Sequence, residues 1–241
     1  MPSQGLWANE VAILDAATAL AGRLGWSDDH TVAAAAIDLQ GRVHTGVNVY
    51  HFTGGPCAEL VVLGAAATAG AGPLAEIVAV GDGGRGILAP CGRCRQVLLD
   101  QHPDILVLMP GEEPAPVGIA QLLPDGYRQP DTQPVGRFVR FRDDYHDPIL
   151  TERKTVTIRH DDPVPLGPVT FVFERPDRVG YRLLQANVDA VEPRRLDALT
   201  DADVRGENAN SLAEVLAGVR QHYPGLAPDA IVDVVRFHVT H

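Results

Sequence analysis

The three cysteines of this chain lie in two short motifs whose residue types suit a metal site. The sequence reads Pro-Cys-Ala-Glu at 56–59 and Pro-Cys-Gly-Arg-Cys at 90–94. Thiolates are preferred ligands of Zn²⁺, and three protein ligands leave the fourth tetrahedral position open for a water, as in catalytic zinc sites. The pattern therefore predicts that Cys57, Cys91 and Cys94 hold a Zn²⁺ ion that supports hydrolysis.

The residues beside these ligands fit proton transfer and thiolate chemistry. Each motif begins with a proline and lies at the predicted start of a helix. There the free N–H groups and the positive end of the helix dipole lower the pKa of a thiol. Glu59 follows Cys57 by two positions, so we expect its carboxylate to reach the water rather than the metal and to move protons. Arg93 and Arg95 are candidates to offset the net negative charge of three thiolates and one Zn²⁺.

Two other interpretations of the cysteines stay open at this level. Cys91 and Cys94 form a Cys-x-x-Cys pair, which is a redox pair in thioredoxin-like folds, and Cys57 would then be a separate buried thiol. A structural zinc would need a fourth Cys or His at close spacing, and neither motif contains a His. His51, the nearest one, is interpreted as a loop or core residue. A zinc-stabilised interaction scaffold is the non-enzymatic alternative.

The elements that must position these motifs alternate between strands and helices. Apolar residues recur at helical spacing over 9–24 and predict an amphipathic helix. The further predicted elements of this half are a hairpin of strands 31–39 and 43–49, strands 77–80 and 105–109, and helices 57–69 and 91–102. Strands that alternate with helices of this length predict an α/β sandwich.

A change in composition predicts a second domain. Residues 128–136 are rich in turn formers and lack apolar periodicity, so we place a linker there, between domains at 1–128 and 137–241. The second domain is predicted to be a compact α+β or small barrel-like domain. Its predicted elements are strands at 137–142, 155–159, 169–174, 181–191 and 230–239, and a helix at 211–222.

Charge and hydropathy limit the class of partner. The net charge of −11 disfavours a protein that coats nucleic-acid phosphates, so a small-molecule substrate is expected. No run of about 18 apolar residues offers a membrane span. The N-terminus lacks a basic stretch followed by an apolar segment, which predicts a cytoplasmic location.

The zinc motifs resemble those of a known superfamily. Cys57-Ala-Glu59 followed by Pro90-Cys-Gly-Arg-Cys-Arg-Gln96 is similar to the cytidine deaminase superfamily, whose signature is a ligand-x-Glu and a Pro-Cys-x-x-Cys. Runs at 46–64, 85–100 and 122–127 resemble the blasticidin S deaminases within it. The resemblance implies a three-layer αβα sandwich, zinc-dependent hydrolytic deamination of a cytosine nucleoside at C4, and assembly as a homo-oligomer, a tetramer.

The same resemblance suggests three substrate-binding residues. Cytidine deaminases carry an Asn-x-Glu pair that holds the ribose hydroxyls, and here Asn48 is kept whereas Tyr50 replaces the glutamate. That change implies a sugar other than plain ribose, as blasticidin S has. Tyr127 would lie near the end of the substrate pocket, and Gln129 stands where the family has an aromatic residue. Packing of the two tyrosines and a turn role for Asn48 are the alternatives.

A second resemblance covers the second half. The run Glu152-Arg-Lys-Thr-Val-Thr-Ile-Arg159, together with the segments at 142–145 and 199–225, is similar to ASCH domains, most closely the bacterial N4-acetylcytidine amidohydrolases. The resemblance implies that Lys154, Thr157 and Glu207 form a catalytic group and that Arg159 contacts the substrate. Glu152 stands where the family commonly has a glycine. By the two-residue period of a strand, Thr157 and Arg159 share a face.

Two alternatives apply to this second domain. Lys154, Arg159 and Glu207 could be an ion-pair cluster that only supports the fold. ASCH relatives have also been suspected of binding RNA, but residues 137–241 contain 14 basic and 17 acidic residues, which disfavours nucleic acid. The expected function is a fusion enzyme: the second domain removes an N4-acyl group from a cytosine nucleoside, and the first then deaminates the product.

Overall fold

The computed structural model describes residues 5–127 and 135–240. These residues form two compact units. One takes in the described residues of Pro2–Arg137 together with Arg175–Tyr181, and the other takes in those of Phe138–Glu174 and Arg182–His241. Most of the predicted linker, and residue 128 at the end of the first predicted domain, lie outside the described residues. The domain bounds drawn from the sequence therefore stay a prediction.

The first unit contains the predicted alternation of strands and helices. The long elements agree with the sequence to within a few residues, and three short ones were not predicted: β4, β6 and α4. The elements are α1 (Ala8–Ala21), β1 (Val32–Asp38), β2 (Val43–Val47), α2 (Ala58–Thr68), β3 (Leu74–Gly81), β4 (Gly86–Leu88), α3 (Gly92–Gln101), β5 (Leu106–Met109), β6 (Ala115–Gly118) and α4 (Ile119–Leu122).

One mixed sheet forms the middle layer of this unit. Its strand order is β2-β1-β3-β5-β6, with β4 paired to β3. Among these described strands only β3 and β5 run parallel, and the other pairs are antiparallel. Alternate residues of β1 point to opposite faces: Ala33 and Ala35 pack with α1, whereas Ala34 and Ala36 pack with α2 and α3. The unit is therefore a three-layer αβα sandwich, as the sequence predicted.

The second unit is rich in strands. Its strands are β7 (Phe138–Arg142), β8 (Val156–Arg159), β9 (Gly167–Glu174), β10 (Tyr181–Arg195, whose first residue groups with the first unit) and β11 (Ile231–Val239). Its helices are α5 (His146–Leu150) and α6 (Leu212–His222), with 3-10 turns at Asp143–Tyr145 and Leu196–Ala198. The sequence predicted the five strands and α6 but neither α5 nor the 3-10 turns, because elements of three to five residues carry too little periodicity.

These strands form one sheet in the order β7-β9-β10-β11-β8. A phenylalanine-rich core packs on one side, built on Phe141, Phe171, Phe173 and Phe237. A second core joins Val156 and Ile158 of β8 to α6. The unit is thus a β-rich α+β domain, and its architecture places β8 beside α6. No helix in the described residues is long and apolar enough to cross a membrane.

Candidate active sites

Two helix starts bring the three cysteines together in the first unit. Cys57 and Cys91 are the N-cap residues of α2 and α3, both with extended backbone, and Cys94 lies in the first turn of α3. Their ligand atoms lie within 4.8 Å of one another. The Sγ–Sγ distances are 3.7 Å for Cys57–Cys91 and 3.5 Å for Cys91–Cys94. The two motifs, 34 residues apart in sequence, thus form one cluster.

The spacing of these sulfurs fits a zinc ion. A tetrahedral site with Zn–S bonds of about 2.3 Å places its sulfurs about 3.8 Å apart. The two Sγ–Sγ distances lie close to that value, and all three cysteines are free thiols. The donor set therefore matches a Cys₃ site with one coordination position left over. The redox-pair interpretation required Cys57 to be a separate thiol, whereas its Sγ lies 3.7 Å from that of Cys91.

The pKa directions of the thiols differ from the prediction for two of the three cysteines. Burial raises the pKa of Cys57 and, together with the charge of Glu59, strongly raises the pKa of Cys94. Burial also opposes ionisation of Cys91, but hydrogen bonds from the N–H groups of Cys94 and Arg93 and from the Cys94 thiol outweigh it and lower the pKa. The helix start thus favours the thiolate at Cys91, whereas Cys57 and Cys94 need a cation among the sulfurs to ionise.

Glu59 lies in the first turn of α2, next to the cluster. It is only 6% exposed, and apolar residues of β3 and β5 line the crevice around it, with Leu88 and Pro90 at its edge. Its charge acts on both Cys57 and Cys94. The carboxyl group is therefore close to the sulfurs and shielded from bulk water, as a proton-transfer group requires.

Arginines and a glycine hold the loops that carry the cysteines. Arg95 Nε donates to Pro90 O at 2.9 Å and its Nη1 donates to Leu122 O at 3.1 Å, and Arg93 Nη1 donates to Gly55 O at 3.3 Å. These hydrogen bonds hold the two motifs in place. The guanidinium groups donate to backbone carbonyl oxygens and not to the cysteine sulfurs. A Cβ at Gly55 would lie 1.6 Å from Val49 O, so this position before Pro56 accepts only glycine.

The three residues predicted to bind substrate in this unit have different surroundings. Asn48 Oδ1 accepts from the N–H groups of Thr31 and Val32, both at 2.8 Å, and its Nδ2 donates to Asp29 O at 3.3 Å. Asn48 therefore braces the start of β1. Tyr50 and Tyr127 are 64% and 70% exposed. The substrate roles of all three stay predictions.

The second unit contains a cavity of about 630 Å³ lined by Lys154, Thr157, Arg159 and Glu207. Lys154 is 2% exposed and its Nζ pairs with Glu207 Oε2, while Glu207 Oε1 accepts from Ile158 N–H at 3.0 Å. Burial lowers the pKa of Lys154, the Glu207 carboxylate opposes that shift, and Arg159 adds to it. The four residues named from the sequence thus meet in one cavity, with a buried amine and carboxylate in contact.

Arg159 is held rigidly beside this pair. Its Nη1 pairs with Asp162, its Nη2 donates to Arg140 O at 2.6 Å, and its guanidinium lies 4.7 Å from the Phe141 ring centroid. Its Nε is buried and has no hydrogen-bond partner among the described residues. An orphaned donor in a cavity wall suits an acceptor atom of a ligand.

The backbone around the pair is unusual at two positions. Glu152 has φ 55°, so this residue adopts the left-handed conformation that the family's glycine favours. Gly206, next to Glu207, has φ 97°, and a Cβ there would lie 2.4 Å from Thr155 Oγ1. Both turns flank the Lys154–Glu207 bridge.

Sequence reasoning did not assign a role to two further residues of this cavity wall. Tyr145, in the 3-10 turn, has its ring centroid 5.0 Å from Lys154 Nζ, and its hydroxyl lies 3.4 Å from His222 Nε2 at the end of α6. The two residues are 77 positions apart, so only the tertiary structure pairs them. The available signal was that both residues lie in the segments, 142–145 and 199–225, that resemble ASCH domains.

Comparisons with known proteins relate the chain to two different families of enzymes. Over 98 residues the chain is 42% identical to the cytidine deaminase of Mycobacterium tuberculosis, which covers 40% of this chain and 71% of that protein. A solved structure of the M. tuberculosis enzyme has 36% identity and a TM-score of 0.43, covering 49% of this chain and 97% of the other. Over 97 residues the chain is 37% identical to the N(4)-acetylcytidine amidohydrolase of Serratia proteamaculans, and the match covers 38% of this chain and 89% of that protein.

No family model matches the chain. The two sequence matches nevertheless exceed 30% identity and span most of each relative. Together with the two units, each of which contains one site, they establish the family. The chain belongs to the cytidine deaminase family and is a fusion of a cytidine-deaminase-like domain with an ASCH domain related to N4-acetylcytidine amidohydrolase.

Proposed function

We propose that the first unit is a zinc-dependent hydrolytic deaminase of cytosine nucleosides. The observation that carries this proposal is the meeting of three cysteine sulfurs and one buried glutamate at two helix starts, in a chain of the cytidine deaminase family. Cys57, Cys91 and Cys94 would hold the ion. When bound, Zn²⁺ supplies Lewis-acid activation of a water for attack on C4 of the pyrimidine.

Glu59 performs the proton transfers of this reaction. Its carboxylate takes one proton from the attacking water and delivers it to ring N3, then takes the second proton from the new C4 hydroxyl and delivers it to the departing amine. A C4–O bond forms, the C4–N4 bond breaks, and ammonia leaves with the electron pair of that bond. Burial of Glu59 in its apolar crevice keeps bulk water from competing for these protons.

The test of this proposal compares two glutamate variants. Glu59→Gln should lower the deamination rate by about 10²–10⁴-fold, whereas Glu113→Gln, at an exposed turn, should leave it unchanged. Absorbance of the cytosine ring follows the reaction. Cys91→Ser should lower the zinc content measured by mass spectrometry. A Glu59→Gln protein that deaminates at the wild-type rate would refute the assignment.

We further propose a blasticidin S-like nucleoside as the preferred substrate of this unit. Tyr50 occupies the position of the ribose-binding glutamate, and its exposed ring suits a sugar other than ribose. A comparison of kcat/KM for cytidine, deoxycytidine and blasticidin S tests this. Tyr50→Glu should shift the preference toward cytidine, and an unchanged ratio would contradict the role of Tyr50. We also expect a tetramer, which light scattering measures.

For the second unit we propose hydrolysis of N4-acylated cytosine nucleosides. Lys154 is paired with Glu207 in its charged form and must first lose its own proton, which the pKa lowered by burial favours. The neutral amine then takes the proton of the nucleophile, which is the Thr157 hydroxyl or a water. Glu207 holds the amine in place. The unpartnered Nε of Arg159 is suited to donate to the acyl oxygen as negative charge develops there.

Deacylation and deamination can follow one another, because deacylation in the second unit releases the 4-amino group that deamination in the first unit replaces with oxygen. A time course with N4-acetylcytidine separates them. Wild-type protein should yield uridine, Glu59→Gln should stop at cytidine, and Lys154→Met should leave the substrate intact while it still deaminates added cytidine. RNA retained by the protein without any turnover of N4-acetylcytidine would instead support a binding role for this unit.

A further inference from the structure

The departing nitrogen needs a proton, which must come either from Lys154, after it has taken the proton of the nucleophile, or from a further group of this cavity. Both oxygens of Glu207 already accept hydrogen bonds, one from Lys154 Nζ and one from Ile158 N–H. An ionised carboxylate in that position is an acceptor and has no proton to give. Amide hydrolysis nevertheless requires one, because the nitrogen is too basic to leave as an anion.

Tyr145 is the group in this cavity whose position suits proton donation. Its ring lies against Lys154 Nζ, at 5.0 Å, and its hydroxyl reaches toward His222 Nε2 at 3.4 Å. Both residues line the same cavity as Lys154 and Thr157. Burial, followed by the charges of Glu207 and Asp144, raises the pKa of Tyr145, so the hydroxyl keeps its proton at neutral pH.

His222 completes the pair at the end of α6. Burial lowers its pKa, and Arg142 lowers it further. The charged groups that face it are Arg142, Asp144, Glu207 and Lys154. A mostly neutral imidazole beside a tyrosine hydroxyl can pass a proton to it from solvent.

We propose that Tyr145 is a further catalytic residue of the ASCH cavity, which protonates the departing N4, and that His222 returns the proton to it. The inference rests on the proposed deacylation. In that step the nucleophile's oxygen forms a bond to the acyl carbon and its proton passes to Lys154. The C–N4 bond breaks, its electron pair stays on N4, and N4 takes the proton of Tyr145. His222 then reprotonates the tyrosinate with a proton from solvent, and Lys154 returns to solvent the proton it took; where Thr157 is the nucleophile, a water then hydrolyses its acyl ester in the same way.

Tyr145→Phe tests the donor, because it removes the hydroxyl and keeps the ring against Lys154. With N4-acetylcytidine, kcat should fall by about 10²-fold while KM stays within about threefold. Tyr223→Phe is the matched control, since it removes a neighbouring hydroxyl from the same cavity wall. Its kcat should stay within about twofold of wild type.

A substrate whose leaving group needs no proton distinguishes a proton donor from a residue that only shapes the site. p-Nitrophenyl acetate carries the same acetyl group, but its phenolate leaves without a proton. Tyr145→Phe should therefore hydrolyse this ester at the wild-type rate, whereas Lys154→Met should lose both activities. Equal losses on ester and amide would overturn the donor role of Tyr145, and an undiminished amide rate would assign the donor to Lys154.

His222→Gln tests the second half of the pair. It should lower kcat by about tenfold and remove from the kcat/KM profile an ionisation below the ordinary histidine pKa of 6.5. An unchanged profile would remove His222 from the pathway. If wild-type protein does not hydrolyse N4-acetylcytidine at all, the proposed deacylation itself fails, an outcome distinct from a defect confined to the variants.

Discussion

Removal of one partner of the Lys154–Glu207 pair should destabilise the second unit strongly. Lys154 is 2% exposed and the Glu207 side chain is 14% exposed, so each charge depends on the other. Breaking a buried ion pair by removing one partner costs about 3–5 kcal/mol. In Lys154→Met the carboxylate keeps only the Ile158 N–H as a donor. Because the cavity gives the Glu207 carboxylate some access to water, we expect the free energy of unfolding to fall by about 3 kcal/mol, the lower end of this range.

The double variant makes this prediction specific to charge. Glu207→Gln alone should also cost about 3 kcal/mol, whereas Lys154→Met with Glu207→Gln buries no unpaired charge and should cost about 3 kcal/mol in total rather than about 6. The coupling free energy is then about 3 kcal/mol. With a urea slope of about 2 kcal/mol/M, each variant shifts the midpoint by about 1.5 M.

The assay can distinguish the two units. Both tryptophans of the chain, Trp7 and Trp26, lie in the first unit, so their fluorescence is an internal control. Far-UV circular dichroism follows the second unit as well. The midpoint by circular dichroism should move and the fluorescence midpoint should stay. Single variants within about 0.5 kcal/mol of wild type, with additive effects in the double variant, would refute the reasoning.

Three further predictions concern backbone strain and pH. Burial lowers the pKa of His102 to about 4 from 6.5, so the stability it contributes is complete above pH 6.5 and falls by about 3 kcal/mol as the pH drops to 4. Urea midpoints by tryptophan fluorescence should show a shallower pH dependence in His102→Gln than in wild type, and parallel curves would contradict this. Glu152→Gly should raise the stability of the second unit by about 1 kcal/mol, measured by circular dichroism, because it relieves a left-handed φ of 55°; a loss of stability would contradict that account. Gly206→Ala should lower deacylation at least tenfold and leave deamination unchanged, since its Cβ would meet Thr155 Oγ1 at 2.4 Å and displace Glu207; an unaltered product time course would show that the loop tolerates the change.

The sequence by itself predicted the features that depend on short spacing. The two proline-led motifs, the position of Glu59 two residues after Cys57, and the strand that carries Thr157 and Arg159 just after Lys154 were all predicted, because helix starts and strand alternation are local properties. The strand and helix pattern also predicted an α/β sandwich, and the family resemblance implied its three αβα layers. Short elements such as α5 escaped, since five residues do not complete two helical turns.

Tertiary structure alone decided what surrounds these residues. Burial, which depends on the packing of whole layers, set the pKa of Cys57 and Cys94 above that of an ordinary thiol, against the expectation from the helix start. The fold also brings the side chain of Asn48 to the start of β1, where it accepts two backbone hydrogen bonds. It brought Glu207 to Lys154 across 53 residues and His222 to Tyr145 across 77. Contacts between residues so far apart follow from the positions of loops and helices on the sheet, which no local pattern encodes.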